Sequence, residues 1–379
     1  MLVRQLTLAD FAAFDCAALA SLTEPPPQWV LVFAAPAWFG HPDFFAVLRQ
    51  AFPGARLCGC STAGEIGRQG VTTGACVVTA IGWAGPPPAQ AVAPIASMAD
   101  SLAAGMRLGR DLPKASAMLV LAPGVNVNGS ALVEGLAAGL PGGTPIMGGL
   151  AGDDGRFAQT FTLSDTGVHT HAAVAIALPA HLRVGHGSFG GWQPFGPARK
   201  VTRSSGNILF ELDGEPALEV YQRCLGDYAK QLPASGLLFP FEMLAADHSV
   251  TGLIRTILGI DQGAGSLILA GDINPRGYLR LMQASTDALV GGAKAAALTT
   301  LNGIDGNAGG GLAILVSCVG RKLVMGSRVD EEVAAVAEVL GRDVSLAGFY
   351  AYGEISPPAR GIDCRLHNQT MTITVFSEP

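Results

Sequence analysis

The chain has 379 residues, 49% of them apolar and 14% charged, with a formal net charge of −6. That length suffices for two or three domains that bury most of their apolar surface without staples, and the composition excludes a disordered or fibrous chain. There is no Lys/Arg cluster to neutralise phosphates or dock on anionic lipid, and the longest apolar stretches, 118–122 and 312–316, fall short of the roughly 20 residues of a membrane span, so neither nucleic acid nor membrane is an expected partner.

In chain order, Met1–Asp10 carries Arg4 and Asp10 and no continuous apolar core, so it does not read as a signal peptide, and a cytoplasmic protein is expected. Residues 1–24 form an N-terminal extension. The apolar run WVLVFAAP from Trp29 predicts a strand, DFFAVLRQAF a helix, RLCGCSTAGEIG a second strand running into a turn, and ACVVTAIGW a third strand. The same order returns from Ala117 as AMLVLAPG, SALVEGLAAGL, TPIMGGLAGDDG and, after an extra hairpin, HAAVAIALP. It returns again from Leu312 as LAILVSCVG, DEEVAAVAEVLG, VSLAGFYAYGEIS and TMTITVFS. A strand–helix–strand–turn–strand unit therefore occurs three times.

The second and third copies also share a preceding strand and helix, AQAVAPIAS with ADSLAAGMRLGRDL and GYLRLMQAS with TDALVGGAKAAALTTL. The Gly/Pro-rich stretch at 185–200 reads as a turn-rich linker, which predicts one domain over 25–214 and another over 215–379. The fold class is α/β: two related domains with mixed β-sheets flanked by helices. What exceeds the background of any α/β protein is a Gly-acid step after the second strand of each copy, Gly64-Glu65, Gly152-Asp153 and Gly353-Glu354. Such a step puts a permissive backbone beside a carboxylate at a strand end, where open α/β sheets hold ligands.

Cys60, Ser61, Thr62, Gly64 and Glu65 place a thiol, two hydroxyls and a carboxylate in one turn without a nearby histidine, so a turn whose hydroxyls satisfy the backbone is the preferred reading over a nucleophile. Gly152, Asp153 and Asp154 read first as a hairpin turn and second as a pocket wall for a cationic or amide-bearing ligand; a phosphate loop would need a following helix. The GNAGGG run at 306–311 reads as a flexible connection. The seven scattered cysteines read as buried reduced thiols, and Cys58-Gly-Cys60 lacks partners at zinc spacing. Of the histidines, His186 beside Trp192 and Phe195 stands out, as does His367 in the polar run His367-Asn368-Gln369. That run enters an apolar strand just after Gly353-Glu354, which places a single site nearest the last copy.

CSTAGEI, GGLAGDDGRF, the linker with ELDGEPALEVYQRCLG, LVSCVGRK, FYAYGEI and LHNQTMT, in this order, resemble the FIST family over nearly the whole chain from about residue 25. The resemblance implies a non-enzymatic sensory protein of bacterial signalling that binds a small molecule such as an amino acid. Stand-alone members that resemble haem-binding nitric-oxide sensors make haem a candidate cofactor, with His186 and His367 as candidate iron ligands. No output domain is expected after Phe376, so a separate signalling protein, a histidine kinase or a cyclic-dinucleotide enzyme, is the implied partner, and a homo-oligomer is compatible. Two other classes remain open: a hydrolase or transferase using Cys60 or Ser61 with Glu65 or Glu354 and His367, and a ligand-independent adaptor.

Overall fold

The computed structural model describes residues 1–112, 115–140, 143–304, 309–357 and 364–378; residues 306–308 of the glycine run lie outside them. The three repeated units are three six-stranded mixed sheets flanked by helices, and an eight-stranded sheet lies beside them. In each unit two parallel strands form the centre. These are Trp29–Ala34 with Arg56–Ser61, Ala117–Ala122 with Ile146–Leu150, and Leu312–Cys318 with Ser345–Ala351. Their near-continuous apolar runs suit strands buried on both faces, and every residue of Trp29–Ala34 and Ala117–Ala122 is buried. An antiparallel third strand (Cys76–Gly82, Ala172–Leu178 or Met371–Ser377) and then an edge strand (Leu2–Leu8, Ala89–Pro94 or Arg183–Phe189) complete one side of each.

The other side of each sheet is supplied by a neighbouring unit. The hairpin that follows the Gly-acid step leaves its own sheet: Glu65–Gly67 of the first unit pairs with Ser345–Ala351 of the third. Gly353–Ser356 of the third pairs with Ile146–Leu150 of the second, and Thr162–Ser164 of the second pairs with Arg56–Ser61 of the first. The exchange closes a ring, so the three units share one interlocked core, and the Gly-acid steps mark the crossovers.

Two expectations are corrected here. The stretch at 185–200 is not a turn-rich linker: Arg183–Phe189 is the third unit's edge strand and Gln193–Ser205 a long strand of the eight-stranded sheet. Gly185 and Gly187 serve close packing rather than turning, since a Cβ on them would stand 2.5 Å from the Thr300 carbonyl oxygen and 2.2 Å from that of Ala296. GYLRLMQAS, likewise, does not precede the third unit within its sheet; Tyr278–Gln283 belongs to the eight-stranded sheet. Residues 193–283 are thus an insertion between the third unit's edge strand and its helix Thr286–Asn302.

Glycines also set the second unit's helix pair. Helices Ser101–Arg110 and Gly129–Gly139 meet backbone to backbone, a Cβ on Gly135 falling 2.0 Å from the Leu102 carbonyl oxygen. Gly135→Ala is expected to destabilise the protein by about 2 kcal/mol through overpacking, read as a lower urea midpoint at unchanged slope. Among the described residues no helix is long and apolar enough to cross a membrane.

Candidate functional site

The Gly-acid carboxylates are buried, and the fold uses them as clamps. Glu65 accepts from Thr62 Oγ1 at 2.5 Å, Thr72 Oγ1 at 3.2 Å and the Ala75 amide at 3.1 Å. Asp153 accepts from the amides of Phe157, Ala158 and Gln159 at 2.8–2.9 Å and from the Tyr352 hydroxyl. Glu354 accepts from the amide and hydroxyl of Thr370 at 3.1 and 2.8 Å. Ser61 donates to the Gly152 carbonyl at 2.8 Å and accepts from the Phe161 amide, so the hydroxyls of this turn satisfy backbone groups as expected. Burial pushes the Cys60 thiol well above its ordinary value, and neither Cys60 nor Ser61 is bonded to a base among the described residues. The nucleophile and base of the hydrolase reading are not assembled.

The polar residues Glu354 and 367–370 of the last copy are buried. Glu354 and His367 face each other across an antiparallel pair, and His367 Nε2 lies 3.1 Å from the Ser356 carbonyl. Gln369 donates to the Leu237 carbonyl at 2.9 Å and packs on Gly320 at a φ of 64°. The side-chain amide of Asn368 and Gln369 Oε1 are buried without hydrogen-bond partners among the described residues. Burial pushes Glu354 up from 4.5 to about 8, Thr370 opposing, and pulls His367 down from 6.5 to about 4.

Glu354 therefore stays protonated in the fold, and its contribution to stability is lost as pH rises from about 4.5 through about 8; His367 stays neutral, and its contribution is lost as pH falls from about 6.5 through about 4. The two slopes oppose each other in between. A urea-midpoint profile is expected to be level between about pH 4.5 and 6.5 and to fall on both sides, with Glu354→Gln flattening the alkaline limb.

Among the described residues, neither His186 nor His367 lines the crevice or the clefts of the three units. His186 lies within the edge strand opposite Thr374, its buried Nδ1 without a partner among the described residues, and burial lowers its pKa. A haem iron needs an imidazole nitrogen free to face the macrocycle; His367 is buried with Nε2 on the Ser356 carbonyl and does not fit the group in this arrangement.

The carboxyl ends of the parallel strands differ in room among the units. In the first, Thr62, Gly64 and Glu65 with Asp154 and Arg156 of the second unit line a cleft of about 180 Å³. Lys322 of the third unit reaches this turn, donating to the Ala63 carbonyl at 2.6 Å and to Thr73 at 3.0 Å. In the third unit the place is packed by Gln369 on Gly320. In the second unit it is a crevice of about 630 Å³. One wall is the loop Gly124–Gly129 that follows Ala117–Ala122 and opens helix Gly129–Gly139; the facing wall is Asn207, Ile208 and 268–272 of the inserted sheet.

Several features build this crevice. Asn128 caps the helix, accepting from the Ala131 amide at 3.1 Å, and its Nδ2 reaches across to Asp272 Oδ1 at 3.5 Å. Gly124 lies so close to Ala151 that a Cβ would fall 1.8 Å from its carbonyl oxygen. At the back, the rings of Phe157 and Tyr352 stack 4.1 Å apart, held by Asp153. Asn126 and Phe157 adopt left-handed backbones, with φ of 57° and 52°, a conformation that non-glycine residues keep only where surroundings enforce it. Buried Arg255, pulled down to about 10 by burial with Asp272 opposing, ties the inserted sheet to the Leu366 carbonyl at 3.3 Å. Asn126, Asn128, Asn207 and Asp272 were not singled out from the sequence; the signal for the first two was the GVNVNG loop between an apolar strand and a helix, and no local pattern marks Asn207 or Asp272.

The arrangement offers amides, a carboxylate and a helix start against aromatic and aliphatic walls, a polar-on-apolar mix suited to a small polar molecule. The comparisons agree with such a role. A family model of the FIST N domain matches residues 28–215 and one of the FIST C domain matches residues 217–357. An uncharacterized protein of Mycobacterium tuberculosis is 27% identical over 343 residues, covering 88% of this chain and 87% of its own. One of Mycobacterium bovis is 31% identical over 254 residues, 65% of this chain and 63% of its own, and one of Methanocaldococcus jannaschii 33% identical over 90 residues, 23% and 17%. Matched along most of its length by both halves, the chain belongs to the FIST family, whose domains are sensory domains of signal transduction that bind small ligands.

Proposed function

We propose that this protein is a cytoplasmic sensor that binds an amino-acid-like molecule in the crevice at the carboxyl ends of the second unit's strands and acts through a separate signalling protein such as a histidine kinase. The observation that carries this reading is the roughly 630 Å³ space between the Asn-rich loop and Asp272, where the other two units have a cleft of about 180 Å³ and a packed glutamine. Asp272 takes the ligand's ammonium group, the side-chain amides its carboxylate, and the Phe157–Tyr352 wall its apolar part. Haem is not carried forward, because His367 is buried with Nε2 on the Ser356 carbonyl and neither His186 nor His367 lines the crevice.

The crevice lies between two bodies of the fold, the interlocked units and the inserted sheet, and its lips carry exposed apolar residues: Met98 on one side, Leu258 and Ile268 on the other. A ligand bridging Asn128 and Asp272 favours a closed arrangement that buries these lips, and its differential affinity for that arrangement sets the signal. A thermal-shift panel of the common amino acids is expected to reveal a stabilising ligand. Asp272→Ala should weaken that ligand about tenfold or more in calorimetric titration. No stabilisation across the panel, or equal affinity in the variant, would remove the basis for this reading.

A further inference from the structure

The inserted sheet holds a second cavity, remote from the crevice in its lining. In the ladder between Gln193–Ser205 and Tyr278–Gln283, Pro194 pairs with Met282 and Ala198 with Arg280. Three residues, Phe195, Gly196 and Pro197, therefore face the single residue Leu281. A bulge of this kind lifts the strand from its partner and re-aims its side chains. Gly196 takes a φ of 84°, and Phe195 is 42% exposed at the lip.

Beneath this arch lies a space of about 240 Å³. Its floor is buried and apolar, from Val220, Phe241, Leu279 and Leu281 with the ring of Tyr221. The Tyr221 hydroxyl is committed to the Phe239 carbonyl at 2.8 Å, so this wall offers an apolar ring rather than a donor. Arg199 is the charged residue of the lining, and it gives Nη1 to Asp213 at 3.2 Å. A guanidinium carries five donors, so that one bond leaves capacity for a carboxylate. Cys224, exposed, also lines the space.

We infer that the cavity under the Phe195–Pro197 arch is a binding site for a short apolar carboxylate, its alkyl or aryl body on the Val220–Leu281 floor and its head on Arg199. The volume of about 240 Å³ and the apolar floor suit a short alkyl or aryl chain, for which octanoate is a fitting probe. This site is independent of the sensing crevice and does not rest on the function proposed above.

Cys224 serves as its reporter. With the full-length protein, the rate at which a chromogenic aromatic disulfide modifies Cys224 is measured against sodium octanoate, the Cys224→Ser variant defining this thiol's share of the signal. Octanoate at saturation is expected to slow the modification about tenfold, and Arg199→Ala to weaken its half-saturation about tenfold, bringing it to the level of 1-octanol. Leu281→Phe, which fills the floor, is expected to abolish protection. Should that variant fail to fold, the exposed-side Arg199→Ala comparison still decides. An unchanged Cys224 rate in octanoate would overturn the site, and equal protection of wild type and Arg199→Ala would overturn the carboxylate assignment.

Discussion

Arg321→Ala is expected to destabilise the protein by about 3–5 kcal/mol, the range for removing one partner of a buried ion pair. Arg321 and Glu332 are fully buried, joined through Nε at 3.1 Å and Nη2 at 2.7 Å. Glu332 also accepts from Ser317 at 2.9 Å and Tyr350 at 2.7 Å, so the truncation leaves a buried carboxylate with two hydroxyls and no counter-charge. The guanidinium further donates to the carbonyls of Gly190 and, at 2.9 Å, Leu289. These two residues flank the points where the chain leaves for the inserted sheet and returns from it. The loss should therefore appear both as a lower urea midpoint and as faster amide exchange at 190–193 and 284–289. Replacing both partners by apolar residues, Arg321→Met with Glu332→Leu, should recover part of the stability, because no unpaired charge then remains while the hydroxyls of Ser317 and Tyr350 still lose their acceptor. A loss under about 1 kcal/mol for the single variant would show that the pair is not the fastening described.

Asp153→Ala is expected to cost about 3 kcal/mol and to weaken ligand binding in the crevice. The carboxylate, 2% exposed, gathers three consecutive amides and the Tyr352 hydroxyl. Unmet buried donors cost about 1–3 kcal/mol each, offset where the freed segment reaches water. The Phe157 amide, in its left-handed backbone, is held by this carboxylate at 2.8 Å and by the Tyr352 hydroxyl at 3.4 Å, so without Asp153 its ring should loosen on the face of Tyr352. Chemical denaturation gives the first quantity and calorimetric titration the second. Asp153→Asn, which keeps the shape and part of the acceptor capacity, should fall between the variant and the wild type. Normal affinity in a folded Asp153→Ala protein would detach the crevice from the Gly-acid turn.

Much of the repeated architecture was legible because its central strands are unbroken apolar runs, and such runs at matching order are visible without knowing what they pair with. The ring of exchanged hairpins was not. Its strands are three or four residues long, such as Glu65–Gly67 and Gly353–Ser356, and their pairing joins residues far apart in sequence, which local pattern does not encode. Gly185 and Gly187 misled for a different reason. Glycine marks a turn when it supplies conformational freedom, and here it supplies only the absence of a side chain against Thr300 and Ala296.

The Gly-acid steps sit at the crossovers between units, and their carboxylates bond to the protein's own amides and hydroxyls. A buried acid at a strand end looks the same in sequence whether it meets a ligand or its own backbone; Asp153 and Glu65 meet the backbone. Thr62, Gly64, Glu65 and Asp154 share one small cleft, while Gly353, Glu354, His367, Asn368 and Gln369 are enclosed. The roomier place depends on the inserted sheet standing opposite Asn128. That juxtaposition links residues 128 and 272, and no spacing rule connects them.

The most direct test of the sensing crevice is amide hydrogen exchange of the full-length protein with and without the amino acid that stabilises it best. Slower exchange at 124–129 together with 268–272 is the expected result, since the ligand would bridge both walls. Slowing confined to the cleft around Thr62 and Gly64, or to neither place, would contradict the account.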